Sequence, residues 1–279
     1  MSKMKIRITN MIKSKSKIRT EPDLVPSRSP TLYRWFDWYV RRYQLRKHFH
    51  AIRLDKNGLA PSVPTDLPLI IVANHGSWWD PLVGWPVQDF FPGRTSFAPI
   101  DADMLQKYRI FAKLGFYGVE QNTPRGAVQF LKTSEAILRH PGTSIWLTAQ
   151  GEFVDVRKRP VVLRGGIGHL VHRLPQVAIV PFAIECTFWT EKTPEGLLHL
   201  GPLMILEGTT KRPDEWTDEI AVALEHAQDA LAEAAMSRDP SRFDTLITGR
   251  ACIGGVYDSW RRFTATMTGK RFDPTHGDT

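Results

Sequence analysis

The chain has 279 residues, of which 42% are hydrophobic, and carries a formal net charge of +8. That length allows one sizeable core with extensions at both ends, and leaves little room for a second full domain. Its two cysteines, Cys186 and Cys252, lie in no metal-ligand or C-x-x-C spacing, which excludes a disulfide framework and a zinc module. No run of about 18 apolar residues exists to span a bilayer, and no signal-peptide core opens the chain, so any membrane contact is expected to be peripheral.

The charge is unevenly placed. Residues 1–56 hold 15 Lys and Arg against four acids, a net of +11, and the rest of the chain is at −3. Within residues 1–20 lie Lys3, Lys5, Arg7, Lys13, Lys15, Lys17 and Arg19 with no acid, and Met4, Ile8, Met11 and Ile12 fall near helical spacing. Such a segment suits an anionic membrane surface, which is the expected partner in preference to nucleic acid; a solvated tail and an organellar leader are the alternatives. Residues 21–30, with Pro22, Pro26 and Pro30, read as a linker that closes a basic tail over 1–30.

From Thr31 to Phe49, Leu32, Trp35, Phe36, Tyr39, Val40 and Tyr43 recur at helical spacing among Arg34, Arg41, Arg42, Arg46 and Lys47. An amphipathic helical segment is expected over 31–60, suited to the lipid headgroup zone or to capping the core. Beyond it the pattern becomes short apolar runs alternating with helical ones. The predicted strands are Leu69–Ala73, Thr95–Ile100, Phe116–Val119, Ser144–Leu147, Ala178–Ile184 and Leu197–Ile205. Helices are predicted over Pro124–Arg139, capped by Thr123, and over Asp214–Met236, with Trp216, Ile220, Leu224 and Leu231 on one face. Nearly continuous apolar strands imply burial on both faces. The fold class expected is therefore α/β: a mixed, largely parallel sheet flanked by helices, occupying 61–237, with the N-terminal amphipathic extension before it. A C-terminal helical extension over 238–279 carries Trp260, Arg261, Arg262 and Phe263, then Lys270 and Arg271, a second candidate interfacial contact.

In such sheets ligands bind beyond the carboxyl ends of the strands, and the first strand runs directly into Asn74-His75-Gly76-Ser77-Trp78-Trp79-Asp80. An imidazole titrating near about 6.5 is a useful base, and a carboxylate on its other nitrogen fixes the tautomer. Gly76 permits the turn that would bring Asp80 to His75. Competing roles are a helix-capping Asp80 before Pro81, in a Ser77-x-x-Asp80 box, and a core histidine. No G-x-S-x-G elbow supplies a nucleophile, so the base would act on a hydroxyl of the substrate itself, without a covalent enzyme intermediate.

The same stretch resembles the N-H-x-S-x-x-D motif of the glycerolipid and lysophospholipid acyltransferase family. The similarity extends over roughly residues 65–205, through Gly115-Phe116-Tyr117-Gly118-Val119-Glu120-Gln121, Thr148-Ala149-Gln150-Gly151, Gly165-Gly166 and Val180-Pro181-Phe182. The resemblance implies transfer of a fatty acyl group from acyl-CoA or acyl-carrier protein to a hydroxyl of a lipid acceptor. His75 and Asp80 would be catalytic, Asn74, Ser77, Gln121, Gln150 and Gly151 would line the substrate site, and no metal or further cofactor would be needed. Backbone amides near Gly151 would be oxyanion donors. The chain departs from the family where Gln121 replaces an Arg that contacts acceptor phosphate, and where Gln150-Gly151-Glu152-Phe153 replaces E-G-T-R. Arg157, Lys158, Arg159 and Arg164 would have to supply the missing cations. A glycolipid, a hydroxylated lipid or another lysolipid is then as much expected as lysophosphatidate. A non-catalytic lipid-binding protein and a lipid or thioester hydrolase are the alternatives.

Overall fold

The computed structural model describes residues 24–58 and 61–249; the basic tail over 1–20 and the Trp260–Arg271 region lie outside the described residues. Among the described residues nine strands form one sheet, in the order β4-β3-β5-β2-β6-β7-β1-β9, with β8 paired to β6. The strands are β1 (Ala51–Asp55), β2 (Leu69–Ala73), β3 (Thr95–Asp101), β4 (Phe116–Val119), β5 (Thr143–Thr148), β6 (Val177–Thr187), β7 (Glu195–Leu200), β8 (Met204–Leu206) and β9 (Phe243–Thr248). Pairing is parallel from β4 through β3, β5 and β2 to β6, and mixed beyond. The α/β class and the mixed, largely parallel sheet read from the sequence are those observed.

β2 lies in the middle because all five of its residues are apolar and fully buried, with parallel ladders to β5 on one side and β6 on the other. Three helices cover one face. α4 (Pro124–Leu138) starts where the Thr123 hydroxyl accepts from the Gly126 amide at 2.9 Å and Pro124 fills the first position. α5 (Gly166–His172) and α6 (Pro213–Ser237) follow, α6 burying the expected Trp216, Ile220, Leu224 and Leu231. α1 (Pro30–Tyr39) lies on the other face and continues through a π-helical stretch, Val40–Leu45, into Arg46–His48. Its inner side packs Val40, Leu45 and Phe36 against Leu69, Ile71, Trp85 and Phe182, so this segment caps the core. The short helices α2 (Asp80–Val83) and α3 (Ala102–Lys107) complete the described elements at the carboxyl edge.

Two expectations change. Leu197–Ile205 is two strands, because Pro202 lacks a ladder donor and Gly201 turns in to bond the Pro181 carbonyl at 2.8 Å; β7 and β8 then pair with opposite ends of β6. Strands β1 and β9, from either side of the expected 61–237 core, also join the sheet. Their charges hid them: Arg53 Nε donates to Glu195 Oε2 at 2.9 Å, and Asp55 Oδ2 lies 2.9 Å from His199 Nδ1, all four residues being buried. No helix among the described residues is long and apolar enough to cross a membrane.

Candidate active site

The site is built where β2 ends. Past Ala73 the chain must leave the ladder, and Asn74 manages the exit: its Nδ2 donates to the Ile184 carbonyl at 2.9 Å and its Oδ1 accepts the Ile184 amide at 2.7 Å. The side chain imitates one more residue of β2 beside β6. Both of its polar ends are thereby used in positioning the next residue.

His75 emerges with its main chain clamped by the loop after β5. Its amide donates to Gln150 Oε1 at 2.8 Å and its carbonyl accepts the Val154 amide at 2.8 Å. Gly76 lets that loop close over the turn, since a Cβ there would stand 2.8 Å from Val156 Cγ1. The imidazole lies against the Phe153 ring, centroids 4.5 Å apart.

Asp80 folds back to the imidazole across one turn. Its Oδ2 lies 3.0 Å from His75 Nδ1 and accepts the Ser77 amide at 2.8 Å, while Oδ1 accepts the Ser77 hydroxyl at 2.8 Å. The capping expectation is not met: Asp80 is the first residue of α2, whose N-cap is Trp79 with no side-chain cap bond, and its carboxylate instead holds Ser77 and His75. A carboxylate only accepts, so the proton of a neutral imidazole sits on Nδ1 and the lone pair on Nε2. Among the described residues nothing bonds Nε2. Asp80 is buried and His75 is partly open to solvent, which is not the environment of a satisfied core histidine.

A narrow apolar cavity of about 110 Å³ reaches Asp80, though not His75, from inside the sheet edge. Ala73, Asp80, Pro81 and Thr148 line it at the site, and Phe97, Ala98, Trp146 and Phe182 line its walls. Tyr33 of α1 also lines it, its hydroxyl donating to Gln88 Oε1 at 2.5 Å. A wider groove of about 440 Å³ between Leu24–Ser27 and α4 includes neither His75 nor Asp80.

The other sequence candidates separate. Gln121 is exposed in the turn after β4, three strands from β2 and so roughly 14 Å along the sheet edge. Arg157 is held by both oxygens of Asp155, and Arg159 by Asp229 of α6, on the surface. Arg164 crosses Gly151, donating to its carbonyl at 3.1 Å; Gly151 has φ of 71°, and a Cβ there would strike the Arg164 side chain at 2.1 Å. The Gly151 amide itself bonds the Thr148 carbonyl at 3.1 Å, so the expectation of an oxyanion donor is corrected for that residue: the turn has already used its proton.

Sequence reasoning passed over Cys186 on β6. Although the residue is exposed overall, burial around the sulfur, and then the Asp80 charge, push its thiol up to about 12, with Ser77 bonding in the opposite sense. Apart from the adjacent Glu185, which adds to the rise, the side chains involved are Asp80 and Ser77, a hundred residues away, so the local sequence does not signal it.

No family model matches this chain, and no curated protein matches it.

Proposed function

We propose that the protein is an acyltransferase that moves a fatty acyl group from a thioester, acyl-CoA or acyl-carrier protein, to a hydroxyl of a lipid. The observation that carries this is a histidine with Nδ1 tied to a buried carboxylate and Nε2 unbonded, beside an apolar cavity that reaches the same carboxylate.

In this reading Nε2 of His75 takes the proton of the acceptor hydroxyl as its oxygen attacks the thioester carbonyl. Asp80 balances the imidazolium charge. The tetrahedral adduct then expels the thiolate, which recovers the proton from His75, leaving an ester and a free thiol. The cavity as it stands has room for only a few methylenes of the acyl chain, which replace water against Phe97, Trp146 and Phe182.

The test uses the full-length protein with radiolabelled palmitoyl-CoA and a lipid extract. Labelled acyl lipid supports the reading; free fatty acid alone identifies a hydrolase, and no turnover, with palmitoyl-CoA or with palmitoyl-acyl-carrier protein in a second arm, sinks it. His75→Ala should lower transfer by at least about 100-fold, the scale of a general base, with folding checked by circular dichroism. Retention of more than a tenth of the rate would remove His75 from the chemistry.

A further inference from the structure

We infer that one continuous aromatic and basic face, from the outer side of α1 to the rim of His75, rests on an anionic lipid bilayer, so that the acceptor enters the site directly from the membrane. The acceptor's route rests on the acyl-transfer reading, whereas the docking does not.

α1 and its continuation present Arg34, Trp35, Trp38, Arg42, Tyr43 and Lys47 to solvent. Trp35 and Trp38 are 52% and 57% exposed, an unusual state for two large side chains three residues apart. The single acid of the helix, Asp37, is turned inward, bonding Arg41 at 2.6 Å and Trp85 Nε1 at 2.9 Å. The exposed charges of the helix and its continuation, Arg34, Arg42 and Lys47, are all basic, while the exposed Asp89 is taken up by Arg41 at 2.8 Å. Trp35, Tyr39 and Tyr43 stack in a ladder with centroids 5.6 Å apart at each step, and Lys47 Nζ lies 5.4 Å from the Tyr43 ring.

The face does not stop with the helix. His48 lies 5.1 Å from the Trp79 ring, which meets Trp78 edge-on at 5.4 Å. Trp78 is 63% exposed and stands three residues after His75; across the imidazole, Phe153 is 61% exposed. One exposed ring, Phe153, thus packs on the imidazole itself, and the other, Trp78, is joined through Trp79 to His48 at the end of the helix.

Trp and Tyr rings among cations match the headgroup region, where a ring meets hydrocarbon at one edge and water at the other. The 20 residues at the start of the chain add seven cations and no acid just before this face, so the charge complementarity favours anionic lipid. Duplex nucleic acid would use the cations but offers Trp35 and Trp38 no hydrocarbon boundary, and single strands, whose bases could stack on them, are the competing occupant in the test.

Full-length protein is mixed with 3:1 phosphatidylcholine–phosphatidylglycerol vesicles whose acyl chains carry bromine near the headgroup, and tryptophan emission is recorded. We expect bromine to quench a share of emission that falls in W35F/W38F, and a further share that disappears in W78F. W35A/W38A should weaken vesicle flotation at least tenfold at unchanged thermal stability. It should slow transfer to a vesicle-borne acceptor similarly, leaving transfer to a water-soluble short-chain acceptor as in the wild type. Equal bromine quenching in wild type and W78F would overturn the orientation. Unaltered flotation of W35A/W38A, with binding governed only by competing single-stranded DNA or by salt, would overturn the docking. Docking without turnover would refute the acyl-transfer reading and leave this face standing.

Discussion

Asp80 influences two neighbours at once, and the second gives an independent check on the site. Its carboxylate orients His75 through Nδ1 and, from the other side, raises the Cys186 thiol, which burial has already pushed up. A thiol held near 12 stays protonated at pH 8, so iodoacetamide should modify Cys186 at least tenfold more slowly than a free cysteine, read by peptide mass spectrometry. Asp80→Asn removes the repelling charge and should accelerate that reaction while abolishing transfer; an unchanged alkylation rate would mean that the two groups do not sense each other. Arg164 makes the second case. Arg157 and Arg159 are neutralised by Asp155 and Asp229, whereas the described partner of Arg164 is the Gly151 carbonyl beside Gln150. If the acceptor bears a phosphate, Arg164→Gln should raise its KM by about tenfold or more, the scale of a lost charged hydrogen bond, with kcat changed little. An uncharged acceptor should show no change, and equal KM values for the phosphate-bearing one would remove Arg164 from recognition.

At the level of elements, the site was legible to the extent that it is local. β2 ends at Ala73 as its apolar run does, and Gly76 gives the turn that returns Asp80 to His75 five residues on. The clamp by Gln150 and Val154 was not legible in the same way, because it needs the parallel pairing of β2 with β5 to set two loops side by side. Arg157, Arg159 and Arg164 follow one another closely in sequence, yet the loop turns them toward a near carboxylate, a helix and the site loop respectively. Spacing alone cannot sort them. The cavity likewise arises only when Tyr33 of α1 closes over the ends of β3, β5 and β6. Ala98 lines it from β3, so Ala98→Phe should fill the channel and shift donor preference from palmitoyl-CoA toward shorter chains by at least tenfold in relative kcat/KM. Equal preference would place the acyl chain elsewhere.

Across the whole molecule, the central strands were readable because unbroken apolar runs leave few alternatives. The flanking ones were not, because β1 and β9 mix charge with apolar residues and depend on partners far along the chain. Arg53 reaches Glu195 on β7 and Thr245 on β9, 142 and 192 residues distant. Burying that pair is tolerable only while both members remain. Glu195→Leu should cost about 3–5 kcal/mol in urea unfolding, since it strands the Arg53 guanidinium. A loss below 1 kcal/mol would show that water reaches the cation.

The same flanking strands set an order of events during synthesis. The segment that carries α1 and β1 leaves the ribosome before the rest of the described sheet, yet β1 has no partner until β7 emerges about 140 residues later, and its other edge stays open until β9 follows. During that interval all the residues of the aromatic outer face of α1 have been made, while the sheet that carries His75 has not. If α1 docks on lipid as proposed, the nascent chain would meet that surface before it assembles the pair, and the place of its folding would follow from where this helix lands.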